Sequence, residues 1–423
     1  MRNSYSKLHA ALPDSTWVVL GDLTIDIGKI KSLVTVAVDL TKLEERGNYT
    51  LSLQDLQIVG INPTEKSTGV FACEAFREAF QRLGGPTSVA AYIIDGGSDL
   101  QKGARLLNEA IDKINYLSSD KSISESVAPE KGSENPEKVI ELKAIPKKKM
   151  KFLYDLSHKL SLLLEKELTA DPNWKEYTEY LTHARKLMAQ TEFAALMPPK
   201  LRSKARFMNA ALYIDWPDSI SNIKQAGNID IPPDRFEKYF GLLDNFWTSL
   251  NKWIPKVSTV EMIKDVVRIH GLSQDSYEYV KELFALMPLE NEILDFVDKA
   301  LACVYEEVKK LDADQTLPAF TEGLESGFGS HKNHVGRGGQ GLCGNVITIA
   351  TLLGPPQTAD EIHKGMAITS VRTMLSWIKK KVGETVGSLR RKYFKIKSKS
   401  TPSGAENIKE TKFDEQVFVG ATG

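Results

Sequence analysis

The stretch Trp17-Val18-Val19-Leu20-Gly21-Asp22 decides the fold prediction, because it is a short apolar run that ends on an acidic residue. A second stretch repeats the pattern: the apolar run 90–94 is followed directly by Asp95. Continuous apolar runs of this length indicate buried strands. A carboxylate just past a buried strand is held rigidly while its head group stays in water. We therefore predict that Asp22 and Asp95 lie at the ends of two strands.

Alternating strands and helices are predicted around these two runs. The predicted strands cover residues 16–22, 33–40, 51–59, 89–94 and 151–154. The predicted helices between and after them cover residues 65–83, 99–116 and 156–168. Three strands in a meander, followed by strands that enter through helices, make a mixed five-stranded sheet. This is the order of elements in an RNase H-like α/β fold.

The pattern changes to helices alone from about residue 170 to 315. The clearest is 290–310, where apolar residues recur at helical spacing, and Ser258-Thr259-Val260-Glu261 has the spacing of a capping box before another helix. We interpret this block as an insertion that interrupts the core before its last catalytic helix; a separate helical domain in tandem is the alternative. The predicted divisions are a first core part at 1–168 with a disordered loop at about 117–137, a helical insertion at 169–315, a last core part at 316–378, and a basic tail at 379–423.

Composition excludes several classes of protein. The 423 residues include 55 basic and 55 acidic ones, which counts against a uniformly basic protein that coats nucleic acid. Three widely spaced cysteines, Cys73, Cys303 and Cys343, predict a reducing compartment without a disulfide framework. No apolar run approaches the roughly 20 residues that span a bilayer, and residues 1–15 lack a signal-peptide pattern. We expect a soluble cytoplasmic protein.

Four short blocks carry a resemblance to a known family. They are Asp22-Leu23-Thr24 with Gly28 and Lys31, residues 92–103 around Asp95, Tyr154-Asp155-Leu156-Ser157-His158-Lys159, and Glu325-Ser326 with Phe328, Gly329 and Lys332. Each is weak alone, but in this order they resemble the catalytic motifs of bacterial insertion-sequence transposases of the DDE class. The third block is similar to the Asp-x-x-His signature that several transposase superfamilies, including hAT-like ones, carry after the second aspartate.

The resemblance implies that Asp22, Asp95 and Glu325 bind two Mg²⁺ or Mn²⁺ ions, with His158 as a fourth catalytic residue. The chemistry of these residue types agrees, since convergent carboxylates can bridge two ions about 3.5–4 Å apart for in-line attack on a phosphodiester. The implied function is cleavage of DNA at element ends and strand transfer to target DNA. The alternatives are a transposase-derived DNA-binding protein that no longer cuts, and an RNase H-like nuclease without strand transfer.

Each candidate site residue has a competing interpretation. Asp26 is predicted in a turn beyond the first strand and Asp99 as a helix cap, which makes both structural. Glu322 lies one helical turn before Glu325, and the residues alone barely separate the two; the Ser-x-Phe-Gly-x-x-Lys context favours Glu325. His158 could instead be a structural hydrogen-bond partner. The residue three positions before it, Asp155, could be the N-cap of the following helix.

Contacts with double-stranded DNA are expected from local basic patches, because the net charge is zero. The candidates are Lys200, Arg202, Lys204, Arg206, Lys332, Arg337, Arg390, Arg391 and Lys392. Solvated faces are the alternative for such charge runs, and a flexible connector is the alternative for the Gly-rich segment 330–341. The histidines of that segment, His331 and His334, could face phosphate; zinc binding with Cys343 is disfavoured because a fourth ligand is missing nearby.

One departure from the transposase pattern concerns DNA-end recognition. Insertion-sequence transposases usually carry a helical DNA-binding domain before the first catalytic strand, whereas the first predicted strand here begins near residue 16. We expect a truncated copy, a domesticated derivative, or a type that recognises element ends through the insertion and the tail. A homodimer on DNA, associated with the bacterial nucleoid and without membrane contact, is the expected assembly.

Overall fold

A five-stranded mixed sheet forms the centre of the molecule. The computed structural model describes residues 2–27, 30–84, 88–119, 150–201, 207–226, 233–335, 342–383 and 392. The strands are β1 (Trp17–Ile27), β2 (Ile30–Asp39), β3 (Leu56–Thr64), β4 (Val89–Ile94) and β5 (Lys151–Tyr154). Their order in the sheet is β3-β2-β1-β4-β5. Strand β2 pairs antiparallel with both β1 and β3. Strand β4 pairs parallel with β1 on one side and with β5 on the other. The prediction of an α/β fold with this mixed sheet is confirmed.

Strand β1 is longer than the sequence prediction. It continues past Asp22 in an antiparallel hairpin with β2, with a bulge between Leu23 and Ile25, and Asp26 pairs with Lys31. The predictions that Asp22 ends the strand and that Asp26 lies in a turn are therefore wrong. The physical reason is the alternation of apolar and polar residues in 23–27, which suits a strand with two different faces.

The parallel pairing of β1 with β4, in contrast, does stop at the predicted place. Gly21 faces Ile94 in the last pair of that ladder. Asp22 and Asp95 are the next residues on the two strands, so both carboxylates start from the same end of the parallel pair. The edge at which parallel strands end is where α/β proteins commonly bind ligands.

Helices surround the sheet and make up most of the remaining chain. In chain order they are α1 (Arg2–Leu8), α2 (Leu40–Arg46), α3 (Gly69–Arg82), α4 (Ser98–Ser119), α5 (Leu156–Thr169), α6 (Asn173–Met188), α7 (Ala210–Ile214), α8 (Trp216–Ala226), α9 (Pro233–Phe240), α10 (Trp247–His270), α11 (Gln274–Ala285), α12 (Asn291–Val308), α13 (Glu322–Val335), α14 (Leu342–Leu352), α15 (Ala359–Ile368) and α16 (Val371–Lys381). The helix predicted from residue 65 begins at Gly69, because the Thr68 side chain caps it by accepting from the Phe71 N–H. Most of the predicted loop 117–137 lies outside the described residues.

The two faces of the sheet bury different sets of side chains, as the period-two geometry of strands requires. Val19 of β1 packs with Phe76 of α3 and Leu107 of α4 in one apolar cluster. Its neighbour Val18 belongs to the cluster on the other face, which extends through Leu160 of α5 into the helical block. Helices α3 and α4 therefore cover one face, and α5 links the other face to the block.

The regular secondary structure that is described within residues 170–315 is helical, and Leu272 adds one isolated bridge to Leu317. The predicted capping box at 258–261 is wrong, because those residues lie inside α10. The Thr259 hydroxyl donates to the Pro255 carbonyl one turn earlier instead of capping a new helix. Buried residues at helical spacing, such as Trp253 and Val267, continue through the whole of α10. No helix in the described ranges is long and apolar enough to cross a membrane.

Candidate active site

Asp22 is a buried carboxylate that the protein itself leaves without a partner. Its side chain is 1% exposed, although it sits near the end of the parallel strand pair. The Leu23 N–H lies close by, but neither carboxylate oxygen accepts a hydrogen bond of normal geometry from a described residue. Burial raises the pKa of Asp22 to about 8, and the negative charges of Asp95 and Glu325 act in the same direction. A buried acid of this kind is costly unless it is protonated or binds a cation.

Asp95 directly follows β4 and is half-buried. Its Oδ1 accepts a hydrogen bond of 3.0 Å from the Gly97 N–H, which fixes the side chain at the strand end. Burial raises the pKa of Asp95, while the Gly97 bond and the charge of His158 oppose the rise. A Cβ on the intervening Gly96 would lie 1.2 Å from the Tyr154 hydroxyl oxygen, so any other residue there would force the Tyr154 ring to move.

Glu325 lies in the first turn of α13 and completes the group of three acids. Burial raises the pKa of Glu325 to about 7, and the charges of Asp155, Glu322 and Asp95 add to the rise. His158 is the opposing influence: its Nε2 lies 3.6 Å from Glu325 Oε1. The charges of Asp95 and Glu325 raise the pKa of Asp22, and the charge of Asp95 raises the pKa of Glu325, so the three predicted carboxylates share one electrostatic neighbourhood.

His158 is the positive charge inside this acidic group. Its Nδ1 lies 3.5 Å from Asp155 Oδ2, an ion-pair distance without the geometry of a hydrogen bond. Burial lowers the pKa of His158, but the carboxylates of Asp155, Glu325 and Asp22 outweigh burial and raise it to about 9. His158 is therefore an imidazolium at neutral pH, in contact with Glu325 on one side and Asp155 on the other.

Asp155 is fully buried and caps α5, which is the alternative that the sequence left open for it. Its Oδ1 accepts from the His158 backbone N–H at 3.2 Å. Its Oδ2 accepts from the Thr321 N–H at 2.9 Å and also from the Thr321 hydroxyl. Burial alone would raise the pKa of Asp155, but the close imidazolium of His158 and the two bonds from Thr321 lower it. Asp155 is thus an ionised structural carboxylate.

The structure separates Glu325 from Glu322, which the residues alone did not. The Glu322 carboxylate accepts from the Ser157 hydroxyl at 2.7 Å and pairs with Arg268 Nη2 at 2.9 Å. Lys264 adds a second positive neighbour at 3.7 Å. The Glu322 carboxylate is therefore bound by side chains of α5 and α10, whereas Glu325 one turn later faces His158.

The other rival, Asp99, lies in the first turn of α4 rather than at its N-cap position, because that helix begins at Ser98. Asp26 lies in β1, and its side chain is outside the described residues.

The candidate DNA contacts are only partly within the described residues. Lys332 is exposed on α13, seven residues after Glu325. Seven residues are about two helical turns or about 10 Å, so Lys332 lies on nearly the same side of the helix as Glu325. Lys200 and Lys392 are also exposed. The candidates outside the described residues are Arg202, Lys204, Arg206, Arg337, Arg390 and Arg391.

Two predictions about basic and histidine residues are wrong. Residues 379–381 belong to α16 and not to a tail, and Lys381 pairs with Glu78 at 2.9 Å because α16 packs against the core. His331 is 1% exposed and lies 3.4 Å from the Thr348 hydroxyl oxygen, so it cannot face a phosphate. The side chains of His334 and Cys343 are outside the described residues.

Sequence reasoning missed the residues that hold this site together. Thr321 had a usable signal, because a threonine directly before a helix is a common N-cap. Arg268 had none, since its ion pair with Glu322 joins positions 54 residues apart. Such contacts depend on how α10 packs beside α13.

The donor set is one that suits a hard divalent cation, because it consists of carboxylate oxygens. Asp22 is the best candidate ligand, since its two carboxylate oxygens are buried and accept no hydrogen bond from a described residue. In the part of the chain that the structure describes, however, no three Asp, Glu, His or Cys side chains stand in ready coordination geometry. Binding would require side-chain rotation that brings the carboxylates closer together.

Comparison with known proteins does not place the chain in a family. No model of a known protein family matches it. Nor does any curated protein match its sequence.

Proposed function

We propose that this chain is a metal-dependent DNA transposase of the DDE class with an RNase H-like catalytic core. The observation that carries the proposal is the buried, unpartnered carboxylate of Asp22 at the end of the parallel strand pair, in the field of Asp95 and Glu325. The order of strands and the four sequence blocks support it. Asp22, Asp95 and Glu325 are the proposed ligands of two Mg²⁺ or Mn²⁺ ions.

Bound divalent ions would supply the Lewis acid that activates an attacking oxygen and stabilises the leaving one. The residues of the chain have separate tasks. Asp22 and Asp95 start from neighbouring strands, which fixes the distance between their backbones. Glu325 comes from a helix and closes the group. His158, a cation held by Asp155 at its Nδ1 side, turns its Nε2 toward the site, where it can donate a hydrogen bond to a phosphate oxygen.

Double-stranded DNA is the proposed partner, bound at element ends and at the target by a homodimer. Lys332 is the best-placed described contact, because it follows Glu325 on the same side of α13. A lysine there would meet phosphate within about 10 Å of the acidic group.

Two experiments test this proposal. Purified protein is incubated with plasmid DNA that carries the sequences flanking its gene, with Mg²⁺, with Mn²⁺ or with chelator. We expect divalent-dependent cleavage, its loss in Asp22→Asn and Asp95→Asn, and DNA affinity within about twofold of wild type, because phosphate contacts lie elsewhere. Asp99→Asn is the matched control and should cut normally.

Strand transfer is scored in the same reaction by adding a second, circular DNA and sequencing its junctions. Joined products identify a transposase, whereas cleavage without joining identifies a nuclease. Binding without cleavage in every metal would identify a transposase-derived DNA-binding protein. Cleavage that persists in chelator would contradict the metal mechanism.

A further inference from the structure

The backbone of Glu325 is tied directly to Thr321, the residue before α13. The Thr321 carbonyl accepts from the Leu324 N–H at 2.8 Å and from the Glu325 N–H at 3.1 Å. Thr321 therefore forms the first hydrogen bonds of the helix on which Glu325 sits. Any shift of Thr321 moves the Glu325 Cα with it, because these bonds close the first turn.

Thr321 is in turn tied to Asp155 by both of its donors. Its N–H and its hydroxyl donate to the same Asp155 oxygen, and both residues are fully buried. The other Asp155 oxygen caps α5 at His158. One carboxylate thus holds the starts of the two helices that carry His158 and Glu325.

Asp155 is also bonded to the end of β4, directly before Asp95. The Asp155 N–H donates to the Ile94 carbonyl at 2.9 Å, and the Leu156 N–H donates to the Ala319 carbonyl at 3.0 Å. The segments that carry Asp95, His158 and Glu325 therefore meet at Asp155. The segment before α13 is bound to the Asp155 side chain by the two hydrogen bonds from Thr321.

From the opposite side, the first turn of α13 is held by Glu322. Its carboxylate accepts from Ser157 of α5 and from Arg268 of α10. If the Thr321 bonds weaken, this ion pair becomes the stronger attachment of the turn.

We propose that Thr321 is a positioning residue: the hydrogen bond from its hydroxyl to buried Asp155 sets Glu325 for divalent-metal binding. The inference rests on the proposed function, since it assigns Glu325 to the metal. Partners of this kind, one step removed from the ligands, typically change metal affinity or activity by about 10–100-fold when removed. The hydroxyl, rather than the volume of the side chain, is the active feature.

The test compares Thr321→Val, which keeps the shape and loses the hydroxyl, with Thr321→Ser, which keeps the hydroxyl. Thr259→Val is the matched control, because it removes another buried threonine hydroxyl bond, inside α10. Mn²⁺ binding to the full chain is titrated by electron paramagnetic resonance without DNA. Cleavage rate against Mg²⁺ concentration and DNA affinity in chelator are measured on the same proteins.

We expect Thr321→Val to weaken Mn²⁺ binding about tenfold and to raise the Mg²⁺ concentration for half-maximal cleavage, with DNA affinity unchanged. Thr321→Ser and Thr259→Val should bind Mn²⁺ like wild type. If Thr321→Val does not fold, Thr321→Ala replaces it, since it places no methyl group against the carboxylate.

Wild-type Mn²⁺ affinity in both Thr321→Val and Thr321→Ala would overturn the inference and leave the proposed function intact. Equal losses in Thr321→Val and Thr321→Ser would also overturn it, because the hydroxyl would then not matter. A wild-type chain that neither binds Mn²⁺ nor cuts DNA would instead overturn the proposed function.

Discussion

Replacing Asp22 by asparagine should stabilise the metal-free protein, although it removes the central proposed ligand. Burial raises the pKa of Asp22 from its ordinary 3.8 to about 8. Between these two pH values the folded state keeps a proton that the unfolded state has lost. The free energy of unfolding therefore falls as pH rises from about 4 to about 8, and it is constant with respect to this group above pH 8.

The size of the effect follows from the same shift. Each pKa unit corresponds to about 1.4 kcal/mol, so the penalty at pH 8 is at most about 5 kcal/mol. Relaxation of the protein and entry of water reduce such penalties, and we expect about 2–4 kcal/mol. Asparagine is neutral at every pH and does not incur the penalty. The stability difference between Asp22→Asn and wild type should be near zero at pH 4 and should grow up to pH 8.

Urea unfolding followed by circular dichroism at pH 4.5, 6 and 8, in chelator, measures this difference. Asp99→Asn is the control, because it makes the same exchange at a partly exposed position on α4. Saturating Mg²⁺ should reduce or reverse the advantage of Asp22→Asn, since a ligand that binds the folded state stabilises it. An Asp22→Asn protein that is less stable than wild type at pH 8 in chelator would refute the view of Asp22 as an uncompensated buried acid.

The remaining predictions concern the neighbours of Asp22 and the proposed DNA contacts. His158→Gln should lower the free energy of unfolding by about 2 kcal/mol at pH 6 and by nearly nothing above pH 9. The reason is that a histidine pKa raised to about 9 gives stability that is lost as pH rises through that value. Urea unfolding at pH 6 and pH 9.5 measures the difference. Glu325→Gln should abolish the rise in melting temperature caused by Mg²⁺, whereas Glu322→Gln should keep it, because the Glu322 carboxylate is occupied by Arg268; an equal loss in both would contradict the separation of the two glutamates. Lys332→Gln should reduce the slope of log affinity for DNA against log salt by about 1, as expected for one lost phosphate contact. Removing residues 384–423 should reduce that slope further without unfolding the chain, since α16 ends before them; an unchanged slope would show that the tail does not bind DNA.

The sequence by itself determined most of the core elements and the residues at their ends. The apolar runs before Asp22 and Asp95 identified β1 and β4, and Asp155 was recognisable as an N-cap. These features depend on residues a few positions apart, so a local pattern is enough to predict them. Asp22, Asp95 and Glu325 were named for the same reason, because two of them follow an apolar run and the third lies at the start of a helix.

Tertiary structure alone decided which of two glutamates faces the site. Glu322 and Glu325 lie one turn apart on α13, and only the position of Arg268 on α10 shows which carboxylate is already occupied. The burial of His331 was likewise invisible, because it depends on the packing of α13 against α14. Thr321 became important only when its hydroxyl was found against a carboxylate 166 residues away. Contacts between distant segments have no local signature, since their free energy arises only after the chain has folded.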